Sequence, residues 1–336
     1  MATSFGSLKL SKDIGRKEFF FALARVPNSQ LLYLGSSDGR VYRVDLEAEK
    51  PEFREFVGHA GYVTSVVLAG EQLISGGYDG KLIWWDREAF QATRTVQAHS
   101  RWIRRIAASP DGRWLISVAD DMVARIWDST TGEQKFELRG HAARTPHHFP
   151  SMLYACAVSA DSRRAATVDK TGQAIIWNTE NGQPLQKIEA PEMYTWDSKQ
   201  RIHSIGGPRS LAFSPDSKLL AIGGMGQVGN IDHLEGKARV ELFDWASGTR
   251  VHAFSSELKG LVERLIFHPE GKWLAAAGGD HGGALLFLDT AAGSILKEEK
   301  APSHLHDLAF NENLNRLYAA AHGKVLAWEL LPESTN

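Results

Sequence analysis

Cysteine occurs once in the 336 residues, at Cys156. A single thiol excludes an internal disulfide framework, and its setting in YACAV reads as a buried strand, not a reactive site. Neither sign of charge is in excess: 38 Lys and Arg stand against 40 Asp and Glu, a formal net charge of -2. No global basic field argues for nucleic acid as a partner. No stretch approaches the roughly 18 apolar residues that span a bilayer, so no membrane association is expected. The opening MATSFGSLKLSKDIG has no apolar run of signal-peptide type, and a cytoplasmic location is expected. Hydrophobic content of 43% is ordinary for a globular chain.

What the chain does have is repetition. LIWWD ends at Asp86 and ARIWD at Asp128. Weaker copies are YRVD ending at Asp45, IIWN at Asn178, ELFD at Asp244, LFLD at Asp289 and LAWE at Glu329. The steps between these endings are 41, 42, 50, 66, 45 and 40 residues. A unit of roughly 40 to 45 residues with such an ending marks a four-stranded propeller blade. Seven units close into one ring, so a single domain over 1–331 is expected, with 332–336 a polar tail. The blades fall at about 18–56, 57–97, 98–139, 140–190, 205–255, 257–299 and 303–331.

One unit shows why. From Gly58, the apolar VTSVVL, then LISGG, LIWWD and the β-branched ATRTVQA read as four strands separated by AGEQ, YDGK and REAF. Such a sheet cannot bury both faces alone; stacking on neighbours around an axis does so.

These units resemble the WD40-repeat family over nearly the whole chain. The resemblance implies an all-β, seven-bladed propeller of four-stranded antiparallel blades. It also implies a hydrogen-bonded set of His, Ser or Thr, Asp and Trp within a blade. His59, Ser75, Asp79 and Trp85 match in blade two, and His99, Ser117, Asp121 and Trp127 in blade three, with identical spacing from Ser to Asp to Trp. The set satisfies buried polar groups, and its duplication argues against a hydrolase triad. Blade four offers His141, Thr167 and Trp177 but Thr171 where Asp is expected; Val44, Phe243 and Leu288 replace Trp in blades one, five and six. Blade seven lacks an outer strand, and Phe5 to Lys9 is expected to supply it by pairing near Val325 to Leu330.

Function on a scaffold of this kind sits on loops. Long insertions occupy Ala142 to Met152, Pro191 to Gly207 and Met225 to Ala238, with a shorter one at Gly278 to Gly283. The connections into a blade and its second-to-third turns emerge on one face, so all four are expected there, over blades four to six. That face carries Arg144, His148, Phe149, Tyr194, Trp196, Arg201, Ile231, His233 and His281, with Tyr62 and Trp102 at equivalent places on blades two and three. Aromatics and Arg are enriched where interfaces concentrate their energy. The bland alternative is that Tyr194 and Trp196 fold down over a blade edge.

Other signals point less clearly to chemistry. Gly224 to Gly229 matches GxGxxG, but a strand pattern follows where a nucleotide site needs a helix. Arg101, Arg104, Arg105, Arg139 and Arg144 are interspersed with Asp111, Asp120 and Asp121, as on a solvated mixed-charge rim. His147, His148, His203, Asp232, His233, Asp280 and His281 crowd the insertions without a ligand spacing on a rigid element. His304 and His306 share a strand face, but no third ligand is evident. The expected function is a non-catalytic scaffold, monomeric or a subunit of a hetero-complex. It docks a protein or peptide and needs no cofactor. The alternative is a ligand, metal or catalytic site where His148, His203, His233 and Asp280 converge.

Overall fold

The computed structural model describes residues 6–199, 202–231 and 235–331. Seven four-stranded antiparallel sheets follow one another in chain order. They span 20–57, 63–97, 103–138, 153–189, 210–259, 261–301, and 305–331 together with Ser7–Gly15. The first strand of each blade touches the first strand of the next, and the last touches the first, closing the ring around an axis. Outside these blades the described residues form a short hairpin, Tyr194–Asp197 with His203–Gly206, and a 3-10 turn at Pro191–Met193. No described helix is long and apolar enough to cross a membrane.

The repeat is written in backbone turns as well as in Trp-Asp endings. Between first and second strands, every blade places one residue in the left-handed region: Asn28, Gly70, Gly112, Ser162, Ser217, Gly271 and Leu314. After the tetrad Asp of blade two comes Gly80 at φ 73°, where an added Cβ would collide with the His99 carbonyl oxygen. Blade three puts Met122 at the same place with φ 64°, a conformation that costs a side-chain-bearing residue energy.

The core is shared out between blades. Each of the seven blade-to-blade interfaces has its own apolar cluster. Trp84 and Trp177 are buried among them, and the Trp84 indole donates to the Ser129 carbonyl at 2.6 Å. Where Val44, Phe243 and Leu288 replace Trp, they are also buried. Their cross-strand registers put Leu34, Ile222 and Ala276 at the Ser position, so Ser and Trp are lost together; blade one keeps Asp38, which accepts instead from Arg40 and the Tyr42 hydroxyl.

In blade two, His59 Nδ1 lies 3.0 Å from Asp79, its Nε2 is 2.8 Å from Ser75 Oγ, and Trp85 donates to that oxygen at 2.8 Å. Blade three repeats this with His99, Asp121, Ser117 and Trp127, at 3.1, 2.7 and 2.9 Å. Blade four differs from the expectation. Its carboxylate is Asp169, not a residue at 171: His141 is 3.0 Å from Asp169 and 2.8 Å from Thr167, to which Trp177 donates at 2.9 Å. The carboxylate has moved to the end of the second strand, and Thr171 donates to it through both its backbone N–H and its hydroxyl.

These sets make stability depend on pH. Burial raises the Asp121 pKa, but hydrogen bonding and charge from His99, Val123 N–H and Arg125 prevail and hold it at about 2, below its ordinary 3.8. Burial pushes His99 below its ordinary 6.5 despite Asp121. Both groups bind protons more weakly folded than unfolded, so their contribution is present at neutral pH. It is lost as pH falls below 6.5 for His99, and between 3.8 and about 2 for Asp121. The melting temperature is expected to fall steadily on acidification. Asp121→Asn should melt lower at neutral pH yet show a shallower decline below about pH 4. An equally steep decline in the variant would contradict this assignment.

The ring closes through the N-terminal segment, over a longer stretch than 5–9. Ser7–Gly15 pairs antiparallel with Lys324–Leu331, from Ser7 opposite Leu331 to Gly15 opposite Lys324. Phe5 lies outside the described residues. In blade five the third strand starts at Lys237, lengthened by the returning insertion, and the outer strand follows it to Lys259, beyond the expected 255. Blade six likewise extends to Ala301.

Candidate functional site: the axial mouth and its loop cap

Six blades carry a β-bulge at the start of the first strand. The register shifts fall between Phe20 and Ala22, Val63 and Ser65, Ile103 and Arg105, Leu153 and Ala155, Val262 and Arg264, and Leu305 and Asp307. The extra residues are Phe21, Thr64, Arg104, Tyr154, Glu263 and His306. A bulge re-aims a side chain without ending the strand. All six line one cavity of about 390 Å³, with Arg209 from just ahead of the first strand of blade five. The ring axis therefore opens into a mouth with one residue from every blade. Sequence reasoning missed this set, although the column can be read once the first strands are aligned: each member directly follows a buried first-strand residue.

Around the mouth, aromatic rings stack in an arc. His306 meets Phe21 at 5.1 Å, Phe21 meets Tyr62 at 5.5 Å, Tyr62 meets Tyr78 at 5.3 Å, and Tyr78 lies parallel to Trp102 at 4.2 Å between centroids. Arg104 sits over Tyr78 and Trp102 and makes a bidentate bond to Asp120 at 2.7 and 2.8 Å. Asp120 outweighs burial there and raises the Arg104 pKa. Tyr62 and Trp102 remain 45% and 48% exposed, although Tyr62 packs with both Phe21 and Tyr78 and Trp102 with Tyr78.

The insertions over blades four to six pack on one another. His147 stacks on Trp196 at 4.6 Å and hydrogen-bonds Tyr194 at 3.2 Å. Phe149 packs against Trp196 and, edge-on, against His203. Val228 N–H donates to Thr195 at 3.0 Å, which ties the third insertion to the second, and Ile231 packs against Met225, Val228 and Leu261. Phe149, Tyr194 and Trp196 are thus half-buried by mutual stacking. Arg144 is exposed and donates to the His148 carbonyl; His148 and His281 are also exposed. Arg201 and His233 lie outside the described residues.

Of the set His148, His203, His233 and Asp280, His148 is exposed and His203 packs edge-on against Phe149, while His233 lies outside the described residues. The cluster that does form holds Glu263, His304 and His306, whose ligand atoms lie within 4.8 Å of one another. It was missed because Glu263 comes from the bulge of blade six. Burial raises the Glu263 pKa, but His304, Arg209 and His306 more than offset that and hold it at about 2. Burial pushes His306 down to about 3. The arginine cluster is also consumed in pairs: Arg104 with Asp120, Arg139 with Glu137, and Arg105 with Asp307.

Below the mouth the axis is crossed by charge. Buried Asp307 accepts from Leu23 N–H and Arg105 at 3.1 Å each and lies 3.0 Å from Arg264. Arg105 lines both the mouth and a lower cavity of about 700 Å³, so this cluster divides the channel. Cys156 lines the lower cavity, where burial pushes its thiol up to about 12 and leaves it unreactive.

Geometry and repeats together define a class. The family model described as "WD domain, G-beta repeat" matches residues 51–86 and 90–128, so this seven-bladed propeller carries WD40 repeats in that part of the ring. Among curated proteins, the chain is 26% identical over 268 residues to telomerase protein component 1 of Rattus norvegicus, covering 79% of this chain and 9% of that protein. It is 34% identical over 123 residues to nuclear distribution protein PAC1 of Arthroderma otae, covering 33% and 27% respectively. Against protein LST8 homolog of Drosophila melanogaster the identity is 25% over 169 residues, covering 50% and 54%. The chain thus spans under a tenth of the telomerase component and about a quarter of the PAC1 protein.

Proposed function

We propose that this chain is a non-catalytic docking scaffold that holds a protein or peptide partner across the mouth of the ring. The observation that carries the reading is the aromatic arc. Phe21, Tyr62, Tyr78 and Trp102 form one stacked surface beside a mouth of about 390 Å³, with Tyr62 and Trp102 half exposed. Rigid aromatics already held by their neighbours lose little entropy when a partner covers the area they still expose. In this reading the cap of blades four to six adds to the docking surface, with Phe149 and Trp196 contributing shape more than energy because their rings already pack on each other. Telomerase protein component 1 is named as a component of a larger body, which agrees with a scaffolding role.

The test is affinity capture from host lysate with three folded proteins: wild type, Tyr62→Ala with Trp102→Ala, and Phe149→Ala with Trp196→Ala. Loss of a retained partner by about tenfold or more is expected in the arc variant, with a smaller loss in the cap variant. An arc variant that captures the same set as wild type would remove the mouth as the docking surface.

A further inference from the structure

We propose that Glu263, His304 and His306 form a binding site for one divalent transition-metal ion of the zinc class, at the edge of the mouth between blades six and seven. This inference stands apart from the docking reading and does not depend on it.

The donor set has the right chemistry. Two imidazoles and a carboxylate suit zinc and related ions, and this combination leaves coordination positions open. The three ligand atoms already lie within 4.8 Å of one another. Tetrahedral zinc with bonds of about 2.0–2.1 Å needs ligands about 3.3 Å apart, so small side-chain rotations suffice. The His304 and His306 ring centroids are 4.5 Å apart, and His304 Nε2 is 3.7 Å from the Glu263 carboxylate, beyond hydrogen-bond distance.

Two further observations point to a ligand at this spot. His304 Nδ1 lies 3.2 Å from the Asp280 carbonyl oxygen. Nδ1 donates that bond, so loss of the second proton from His304 frees the Nε2 lone pair beside Glu263 for a metal ion. A backbone carbonyl holding the distal nitrogen is the usual support for a metal-binding histidine. In addition, the Nε2 atoms of His304 and His306 are both buried and have no hydrogen-bond partner among the described residues. A buried polar atom without a hydrogen-bond partner is costly, and a cation held by both imidazoles and the neighbouring carboxylate would satisfy the two together.

The surroundings favour an ion over a competing side chain. Arg209, the nearest cation on blade five, is committed elsewhere: it donates to the Gly206 and Pro208 carbonyls and lies over Tyr154. The His306 ring packs against Phe21, and Glu263 and His306 both sit at strand bulges, so these two ligands stand on rigid elements, with His304 just ahead of the strand. Glu263 and His306 also line the mouth, so the open positions of a bound ion face whatever enters the channel.

The test uses the full chain without a histidine tag, stripped with chelator and titrated with Zn²⁺ alone by calorimetry, then with Co²⁺ alone by visible absorption. The expected result is one ion per chain with a dissociation constant of about micromolar or below, and a Co²⁺ spectrum of low-coordinate nitrogen and oxygen ligation. His306→Ala and Glu263→Gln should each weaken binding about tenfold or more, while exposed His281→Ala leaves it unchanged. Circular dichroism checks each fold, and His304→Gln replaces His306→Ala if the latter does not fold. Absence of binding at micromolar ion, or binding that survives these ligand substitutions in folded protein, would overturn the proposal.

Discussion

Deleting residues 1–15 will open the ring and lower stability by about 5 kcal/mol or more, which is most of the reserve of a marginally stable domain. The reason is positional. Ser7–Gly15 is the outer strand of the last blade, and its ladder to Lys324–Leu331 joins the two ends of the chain. Its loss removes a full row of backbone hydrogen bonds, each a net 0.5–1.5 kcal/mol or so. It also uncovers apolar clusters: Ile14 packs with the blade one and seven core, and Leu8 with the cluster holding Trp328 and with Trp273. Solenoid-like stacks tolerate loss of an end, but a ring does not, because every blade relies on both neighbours. The check is a thermal melt by circular dichroism. A decrease of about 10 °C or more is expected, and a melt within about 2 °C of wild type would rule out the strand as the latch.

Asp307→Ala is expected to cost about 3 kcal/mol, within the range found when one partner of a buried ion pair is removed. Asp307 is 2% exposed and serves three blades: it accepts from Leu23 N–H in blade one and Arg105 in blade three, and pairs with Arg264 in blade six. Without it, Arg105 keeps its charge in a half-closed channel and loses its ion-pair partner. Arg264 is partly exposed, which holds the estimate to the low end of about 3–5 kcal/mol. Asp307→Asn keeps an acceptor and should lose roughly half as much. Replacing Arg105 and Arg264 by Met in the Asp307→Ala background should recover part of the loss, since a fully apolar cluster leaves no charge unpaired. Urea midpoints of the four proteins test this; no recovery in the triple variant would show that the cluster acts by shape alone.

How far the sequence reveals this molecule depends on which residues carry the signal. Trp85, Trp127 and the spacing of their partners announce the ring, because an indole buried in a sheet needs an acceptor and the answer repeats. Blades five and six hide their identity: Phe243 and Leu288 need no such partner, and the spacing relaxes with it. Asp169 escaped notice because the two strict blades put the carboxylate in the turn, whereas blade four puts it at a strand end. The closing strand looked shorter than it is because SKDIG is polar, yet an outer strand packs only one side and tolerates that composition.

The site was harder to read than the fold. Loop length and aromatic content pointed to Phe149, Tyr194 and Trp196, but their mutual stacking depends on loops from different blades meeting. His304 and His306 were seen to share a face, while Glu263 reaches them only through the neighbouring blade. Pairings of this kind exist in space and leave no trace in spacing.

The bulges have a broader consequence. Each extra residue stands outside the pairing that holds its sheet together, so architecture and chemistry are written in separate places. Phe21, Thr64, Arg104, Tyr154, Arg209, Glu263 and His306 amount to a seven-letter word spelled around a fixed frame. A lineage can rewrite that word one letter at a time, changing what the opening recognises while the ring beneath stays the same.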